Sequence, residues 1–523
     1  MLRTVTWAAT LVTPMVLGAA ALVPAYMNHD AAWYLHMAGV WLDGGTLYRD
    51  VIDTNPPLIV FASAVPVWIA RGFHLSEPSV FQVWIFALGA ICTALAIPPI
   101  RRAWESESSR LLMGMALAFA LFPFVKGDFG QREHLAAILT APFVFEACAW
   151  AAGHAATRRA DVCTGTIAGL GFALKPHFLL GWLAVEASLM LMRPRARSWA
   201  RPGAVAVAVS IVIYGVIVLA FVPQYLANAR DVAAVYGGLN EPLSVVMRVA
   251  ELRVWAVAIL ALLPLGRRST PRAPSLVLFA AATGFLAAAL LQFKGWGYHL
   301  YPFRVFVLLY FAAVVNALVG VAAARVGFVR GGRAVTAVAL VLVSMWSVRA
   351  VAHSRRSAGT GPVAWMVGLL EGQGPDSSIA MLSMRYLIFP AFPSVNYAHA
   401  TWVLRHHSLW FLPGLYVQEL QRPSGDAATF RPLPAMPPLE RKYFEEIVDD
   451  LCARPPRILV VEPPVRGPPG RRSLDLLAYY AQDARVARLI AAYTPIDRNG
   501  PFVAYSRSSD ASCGNGPRLA SAD

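Results

Sequence analysis

The chain has 523 residues, of which 57% are hydrophobic and only 14% are charged. A soluble protein of this size would carry about a quarter charged residues, and the mean hydropathy here is +0.53. Repeated apolar runs of about 18 residues or more are typical of transmembrane helices. The composition therefore excludes a soluble globular protein and indicates a polytopic membrane protein of mainly α fold.

The net charge of +15 comes largely from basic clusters that lie between the apolar runs. These clusters fall at 101–102, 158–159, 193–201, 267–268 and 325–333. Short cytoplasmic loops of membrane proteins collect Lys and Arg. Neither a zinc knuckle nor interleaved basic and aromatic residues accompany the clusters, which argues against a nucleic-acid partner. The pattern predicts that these loops face the cytoplasm.

About eleven transmembrane helices can be placed between the basic clusters. They are predicted at 5–25, 80–100, 110–125, 134–152, 162–175, 177–192, 203–222, 244–265, 274–291, 303–323 and 334–350. The first apolar stretch is too long for the apolar core of a signal peptide, so we expect it to be retained. Residues 57–71 are too few to span a membrane and are predicted to lie at its surface. This topology places the C-terminus outside the cytoplasm.

The composition changes after residue 350, so we predict a transmembrane domain at 1–350 and a separate small α/β domain at 351–510. The transmembrane domain includes a first extracytoplasmic loop at 26–79. In the second domain, β-rich runs predict strands at 377–384, 457–463 and 502–507, and an amphipathic pattern predicts a helix at 439–454. Residues 511–523 are predicted to be a disordered tail. Cys452 and Cys513 form either an extracytoplasmic disulfide or two free thiols.

The first loop opens on the stretch NHDAAWYLHMAGVWL, which holds Asp30 and, one helical turn later, Tyr34. Asp is a favoured N-cap, so capping of the following helix is one explanation of Asp30. An ionisable group beside a membrane is also a functional candidate by default. The sequence leaves both interpretations open.

A second polar segment, GDFGQREHL, crowds Asp128, Arg132, Glu133 and His134 at the start of a later helix. The alternatives are a solvated loop with an internal Glu–Arg pair and a charged cavity wall. Four titratable residues in seven positions are more than helix capping requires.

Two further segments place cations and aromatic residues at helix ends. FALKPHFLL holds Lys175 and His177, and QFKGWGYHLYP holds Lys294, Tyr298 and His299. A snorkelling lysine and an interfacial aromatic belt are the structural explanations. The functional explanation is recognition of an anionic group such as a phosphate.

Together these segments supply carboxylates for general-base chemistry, cations for phosphate and aromatic faces for sugar rings. Arg405, in the segment NYAHATWVLRHHSLW, is a further substrate-binding candidate, with a structural cluster as its alternative. The carboxylates also admit a divalent cation. A lipid-phosphate-linked sugar suits a cavity with these contents.

The order of these elements resembles the GT-C fold glycosyltransferases, a superfamily that includes protein O-mannosyltransferases and bacterial aminoarabinose lipid A transferases. The resemblance rests on the Asp–Tyr pair, GTLYRD, NPPL and the Lys175-Pro176 hairpin, and it covers roughly residues 1–350. It implies that Asp30 is the catalytic acidic residue and Asp128 the second acidic position. Tyr48 and Asn55 would lie near the donor.

Two departures from the superfamily pattern are visible. The usual Asp-Glu pair is Asp30-Ala31 here, and the usual Lys-Pro is Asn55-Pro56. The first change weakens a metal-binding pair, and the second removes one phosphate contact. Arg132, Lys175 or Lys294 would have to supply that charge.

The resemblance implies an inverting glycosyltransferase of the bacterial inner membrane, with its active face outside the cytoplasm. It would move a sugar from a polyprenyl-phosphate carrier to a hydroxyl of a cell-envelope glycan, lipid or protein, with Asp30 as general base. The alternatives are a lipid or small-molecule transporter or flippase, whose polar groups would lie nearer the bilayer midplane, and a non-catalytic polysaccharide assembly factor.

Overall fold

A computed structural model describes residues 2–23, 25–193, 198–262, 272–326, 331–357, 359–374, 377–384, 388–423, 426–469, 471–508 and 512–513. The chain divides into two compact units. The helical unit comprises Met1–Asn28, Ile69–Phe221 and Asn240–Ala358. The sheet unit comprises His29–Trp68, Val222–Leu239 and Gly359–Asp523.

The helical unit is built from apolar helices, most of them long. In chain order they are α1 (Leu2–Leu22), α4 (Glu77–Ala103), α5 (Glu107–Leu121), α6 (Arg132–Ala151), α7 (Arg158–Ala173), α8 (Leu179–Met192), α9 (Pro202–Phe221), α11 (Leu243–Val249), α12 (Leu252–Leu260), α13 (Arg272–Leu291), α14 (Tyr301–Val326) and α15 (Gly331–Ser357). Among the described residues, six helices are long and apolar enough to cross a membrane: Glu77–Ala103, Glu107–Asp128, Arg132–Ala151, Pro202–Phe221, Arg272–Leu291 and Gly297–Val319. The predicted polytopic helical fold is confirmed.

One predicted helix, at 244–265, is wrong as a single element. The structure has two short helices there, and Glu251 between them adopts a left-handed backbone with φ of 51°. Arg304 on α14 donates to the Glu251 carboxylate at 2.9 and 2.7 Å. This tertiary ion pair accompanies the break, and a hydropathy pattern cannot reveal it.

Close contacts between helices depend on glycine. A Cβ atom placed on Gly165 of α7 would lie 2.2 Å from the carbonyl oxygen of Gly203 on α9. Lipid tails are as apolar as the helices, so transmembrane helices associate through close packing of small residues. The backbones of α7 and α9 therefore touch at a point where no larger side chain fits.

Basic residues that the sequence assigns to cytoplasmic loops form ion pairs with buried carboxylates in the structure. Arg102 donates to both carboxylate oxygens of Glu146 at 2.6 and 2.7 Å, which joins the end of α4 to α6. Arg201 donates to Glu186 at 2.9 Å and so joins the start of α9 to α8. These arginines connect helices as well as carrying the charge pattern.

The sheet unit contains the first loop together with an α/β region. Its helices are α2 (His29–Leu42), α3 (Leu58–Gly72), α10 (Gln224–Tyr236), α16 (Gly361–Glu371), α17 (Ala391–Tyr397), α18 (Phe411–Leu415), α19 (Val417–Leu420), α20 (Pro438–Ala453), α21 (Leu476–Tyr480) and α22 (Ala484–Ala491); the last residues of α3 belong to the helical unit. Its strands are β1 (Ser378–Leu382), β2 (Thr401–Trp402), β3 (Ile458–Val461), β4 (Tyr493–Asn499) and β5 (Phe502–Arg507).

The five strands form one mixed sheet in the order β2-β1-β3-β5-β4. The first three are parallel, and β5 pairs antiparallel with β3 and β4. The predicted strands and the predicted helix at 439–454 are present. Strand β4 was not predicted because its sequence, YTPIDRN, is polar, contains Pro495 and is largely exposed.

A disulfide joins Cys452, at the end of α20, to Cys513. Of the two alternatives for this pair of cysteines, the disulfide is therefore the observed one, and disulfides are typical of extracytoplasmic compartments. The predicted disordered tail at 511–523 lies outside the described residues, except for Ser512 and Cys513.

The first loop is attached to the α/β region of the sheet unit. The Asn396 amide of α17 donates to the backbone oxygen of Ala32 at 3.1 Å, and Trp33 contacts Phe392 edge to face at 5.1 Å. The Ile52 amide donates to the backbone oxygen of Arg405 at 2.7 Å. These contacts position the residues of the first loop.

Replacing Gly165 by Ala should destabilise the protein, by about 1–3 kcal/mol, because the new methyl group would force α7 and α9 apart. Gly215→Ala on α9 is the matched control, since a Cβ atom there meets nothing within 4 Å. Thermal unfolding in detergent measures both variants. An equal unfolding temperature for Gly165→Ala and Gly215→Ala would contradict the close crossing.

Candidate active site

The candidate residues form two polar clusters, one in each unit. The loop cluster, in the sheet unit, consists of Trp33, Tyr34, Asp53, Asn55 and His407. The helix-end cluster, in the helical unit, consists of Glu133, Lys175, Gln292, Tyr298 and His299.

Asp53 is the centre of the loop cluster, and only 3% of it is exposed. Its Oδ2 atom accepts a hydrogen bond from Trp33 Nε1 at 2.9 Å. Its Oδ1 atom accepts from the backbone N and the Nδ2 of Asn55, each at 2.7 Å. The backbone oxygen of Asp53 accepts from Asn228 Nδ2 at 2.8 Å. A buried carboxylate with this many donors fixes the turn before the two prolines.

The Asp53 turn also orders the two tyrosines predicted for the site. Asn55 Nδ2 donates to the hydroxyl oxygen of Tyr34 at 3.2 Å, and the Tyr48 hydroxyl donates to the backbone oxygen of Asn55 at 2.5 Å. Tyr34, Tyr48 and Asn55 are therefore brought together.

Asp30 lies in the first turn of α2. One of its carboxylate oxygens is 3.5 Å from His29 Nε2, and its side chain is 19% exposed. The helix N-terminus favours the ionised form of such a carboxylate. Asp30 is thus more accessible than Asp53.

His407 is buried and interacts electrostatically with both Asp53 and Asp30. Its Nε2 is 3.8 Å from Asp53 Oδ2, and its Nδ1 is 2.8 Å from Ser408 Oγ. Burial lowers the pKa of His407 below its ordinary value of 6.5, although the two carboxylates oppose this shift. The imidazole is therefore neutral near pH 7.

Arg405 is held by Asp450. Its Nε and Nη2 atoms and its backbone N all donate to the Asp450 carboxylate, at 2.7–3.1 Å. The adjacent His406 pairs with Glu446 at 2.7 Å. The contacts of Arg405 with Asp450 thus fix the backbone of Arg405, whose carbonyl oxygen accepts the hydrogen bond from Ile52.

Glu133 is the centre of the helix-end cluster and is fully buried. Its Oε1 atom accepts from Lys175 Nζ at 2.6 Å and lies 3.9 Å from His299 Nε2. Lys175 also donates to Gln292 Oε1 at 3.1 Å and lies 5.7 Å from the Tyr298 ring. The start of α6, the α7–α8 tip and the segment before α14 therefore meet here.

Three other predicted residues lie within electrostatic range of this cluster. His177 interacts with Lys175, Glu133 and Arg132, and Arg132 and Lys294 interact with His299. Arg132 is itself buried. The structure thus collects several cationic groups around one carboxylate.

Lys294 donates to Asn240 Oδ1 at 2.8 Å. Burial lowers the pKa of Lys294 to about 8, against an opposing effect of Glu241. The ammonium is therefore still mostly protonated at neutral pH.

His134 and Asp128 lie beside the helix-end cluster in sequence. The His134 ring accepts from the Gly130 amide at 3.1 Å and donates to the Leu121 backbone oxygen at 2.8 Å, so its hydrogen bonds require the neutral form. Asp128 is half-buried and interacts electrostatically with Tyr301.

Within the described ranges, no group of three or more His, Cys, Asp or Glu side chains is arranged to hold a metal ion. The donors around Asp53 are N–H groups, which compete with a cation for its oxygens. The Asp53 carboxylate is therefore satisfied by the protein's own donors.

Sequence reasoning missed Asp53, Gln292 and the placement of His407. Asp53 lies two residues before Asn55, a spacing at which an Asp side chain commonly bonds to the backbone of a turn. That signal was available in the stretch DTNPP. The partnership of His407 with Asp53 joins residues far apart in sequence and has no local signature.

Comparison with known proteins relates the fold to solved structures, although no family model and no curated protein sequence matches. ArnT from Cupriavidus metallidurans, bound to undecaprenyl phosphate, is similar with a TM-score of 0.59 and 13% identity, over 97% of this chain and 98% of that chain. The archaeal oligosaccharyltransferase AglB from Archaeoglobus fulgidus, in complex with an inhibitory peptide and a dolichol-phosphate, gives a TM-score of 0.46 and 11% identity, over 96% and 74%. The likeness to ArnT extends over nearly all of both chains and shows that this chain has the GT-C fold.

The Glu133–Lys175 pair should be strongly coupled. Glu133→Gln removes the negative charge that compensates the Lys175 ammonium, which is only 6% exposed, and should cost about 3–5 kcal/mol. Lys175→Met should be similarly harmful, and the double variant should lose less than the sum. Thermal unfolding of the four proteins measures the coupling.

The exposed pair Arg71–Glu77 is the matched control for that cycle. Replacing both residues by Gln, singly and together, should change stability by less than about 1 kcal/mol. Additive losses at Glu133 and Lys175 would contradict the coupling.

The protein should become less stable as the pH falls, and His407 should account for part of this loss. Its pKa is lowered by folding, so the unfolded chain binds a proton more readily once the pH falls below about 6.5. The unfolding temperature should therefore drop between about pH 7.5 and about pH 5, and His407→Gln should reduce this drop. His154→Gln, at an exposed histidine, should leave it unchanged; an identical drop in His407→Gln would exclude this contribution.

Proposed function

We propose that the chain is a membrane glycosyltransferase that moves a sugar from a polyprenyl-phosphate carrier to an acceptor hydroxyl. The reaction takes place on the extracytoplasmic side of the bacterial inner membrane, and the acceptor is a cell-envelope glycan, lipid or protein. The GT-C fold supports this class of activity, since a similar structure, ArnT, binds undecaprenyl phosphate. The Cys452–Cys513 disulfide supports an extracytoplasmic sheet unit.

The observation that carries the proposal is the contrast between Asp30 and the other central carboxylates. Asp53 is enclosed by N–H donors, and Glu133 is neutralised by Lys175. Asp30 remains 19% exposed at the start of a helix. A general base needs an ionised carboxylate that an acceptor can reach, and Asp30 best meets both conditions.

In the proposed reaction, the Asp30 carboxylate takes the proton of the acceptor hydroxyl. The hydroxyl oxygen attacks the anomeric carbon opposite the carrier phosphate. The bond from that carbon to the phosphate oxygen breaks, and the phosphate leaves with the electron pair, so the configuration is inverted. A phosphate leaves without protonation, so one carboxylate suffices, unlike the two needed for glycoside hydrolysis.

The leaving phosphate needs positive charge nearby. Arg132, Lys175 and Lys294 supply three cations for one buried carboxylate, Glu133, and the His299 ring adds an N–H donor. Placed cations stabilise charge that develops in the transition state. In the loop cluster, Asp53 positions Tyr34 and Asn55 without touching the reacting atoms.

Asp30→Asn should lower sugar transfer by about 100-fold or more, because general-base catalysis contributes about 10²–10⁴-fold. Purified membranes and a panel of radiolabelled polyprenyl-phosphate sugars provide the assay, and the active donor identifies the sugar. Asp50→Asn, at an exposed loop carboxylate paired with Arg49, should retain transfer.

Equal transfer by wild type and by well-folded Asp30→Asn would remove Asp30 as the base and direct attention to Asp128. Absence of transfer by wild type from every donor, combined with movement of labelled lipid across vesicles, would refute the enzyme and favour the transporter.

A further inference from the structure

A cavity of about 190 Å³ lies in the helical unit, between the end of α6, the start of α7 and the start of α9. None of the candidate residues of the two polar clusters lines it. Its volume is several times the roughly 30 Å³ that one water molecule occupies in the liquid. Arg158, Arg159 and Arg201, at these helix ends, belong to the basic clusters that predict cytoplasmic loops. The cavity therefore lies where apolar helices end, at the level of lipid headgroups on the predicted cytoplasmic side.

The wall of this cavity carries charges of both signs. Arg158 and Arg201 supply two guanidinium groups, and Glu146 and Asp161 supply two carboxylates. Like charges brought together are unfavourable, so the carboxylates disfavour a ligand that is only anionic. For the same reason the guanidinium groups disfavour a ligand that is only cationic. The wall therefore favours a zwitterion.

Arg201 gives an independent indication of an anionic ligand group. Its side chain lines the cavity and is only 6% exposed. Its Nη2 atom donates to Glu186 at 2.9 Å, but its buried Nε atom has no hydrogen-bond partner among the described residues. A buried donor without a partner is unfavourable, more so on a charged group. An oxygen atom of a ligand in the cavity would satisfy this N–H.

Asp161 offers an acceptor for a cationic ligand group. Its Oδ2 atom accepts from the Gly203 amide at 2.8 Å. Its Oδ1 atom lies 3.9 Å from Arg201 Nη1, which is beyond hydrogen-bond distance. Both oxygens of Glu146, in contrast, accept from Arg102. Asp161 Oδ1 is therefore better placed than Glu146 to accept from an ammonium group.

We propose that this cavity binds a phosphoethanolamine group, the zwitterionic headgroup of phosphatidylethanolamine. The phosphodiester accepts from Arg158 and from Nε of Arg201, and the primary ammonium donates to Asp161. Phosphatidylglycerol has the phosphodiester without an ammonium group, and the quaternary ammonium of phosphatidylcholine has no N–H to donate. The position of the cavity at the headgroup level favours a lipid as the source. The site does not depend on the proposed glycosyl transfer.

Native mass spectrometry of the full-length protein in detergent tests this site, with phosphatidylethanolamine, phosphatidylglycerol and phosphatidylcholine of identical acyl chains as probes. Wild type should retain phosphatidylethanolamine preferentially. Arg158→Gln should bind it about tenfold more weakly, because one charged hydrogen bond to the phosphodiester is lost. Arg159→Gln is the matched control, since it removes the same charge from an adjacent exposed residue outside the cavity wall, and it should bind like wild type.

Asp161→Asn tests the ammonium contact separately. The carboxamide oxygen of Asn can still accept from the Gly203 amide, so the link between α7 and α9 is kept while the charge is removed. The preference for phosphatidylethanolamine over phosphatidylglycerol should fall about tenfold. An unchanged preference in this variant would exclude the ammonium contact and overturn the proposal.

Wild type that retains phosphatidylethanolamine no better than the other two lipids would also overturn the proposal, and so would unchanged binding by Arg158→Gln. Glycerophosphoethanolamine has the same headgroup without acyl chains and distinguishes the two sources of this group. Displacement of phosphatidylethanolamine by an equal concentration of it would identify a soluble zwitterion, whereas phosphatidylethanolamine retained against it would identify the lipid. Either result supports the phosphoethanolamine site.

Discussion

A carboxylate that leaves water must find donors, and the sheet unit meets this requirement at Asp53. Donors from Trp33 on α2 and from Asn55 in the turn reach its two oxygens. Asn228 on α10 binds its backbone oxygen. Because one residue joins a helix, a turn and a distant segment, the positions of Tyr34, Tyr48 and Asn55 all follow from it. The loop is ordered by polar contacts as much as by burial of its aromatic residues.

In the helical unit, buried carboxylates are instead compensated by cations in ion pairs. Glu133 with Lys175, Glu146 with Arg102 and Glu186 with Arg201 each join two or more helices. Removing one partner of a buried ion pair is costly, whereas the pair as a whole adds little to stability. The value of such pairs therefore lies in fixing which helices are neighbours. Glycine contacts such as that of Gly165 with Gly203 then set how closely the helices approach.

The sequence alone predicted the features that follow a repeating local pattern. It did not predict the features that depend on partners distant in the chain. Hydropathy located most helices of the helical unit, and alternation located β1, β3 and β5, because both patterns are local. These local patterns did not predict the helix break at Glu251, which has a left-handed backbone and pairs with Arg304. They also did not predict strand β4, whose exposed residues are polar. Among the candidate residues, Lys175 was recognised as an unusual cation, but its pairing with Glu133 was not predicted. That contact spans 42 residues of sequence and depends on helix packing.

The two clusters differ in the sign of their charge, so they favour different kinds of chemical group. Around Glu133 the cations Arg132, Lys175 and Lys294 outnumber the carboxylate, so this cluster favours an anion. The loop cluster and its neighbour Asp30 hold two carboxylates beside a His407 kept neutral by burial, so they favour a proton or a group that can donate one. The neutral form of His407 matters for the proposed base, because a protonated imidazole beside Asp30 would weaken that carboxylate as a base.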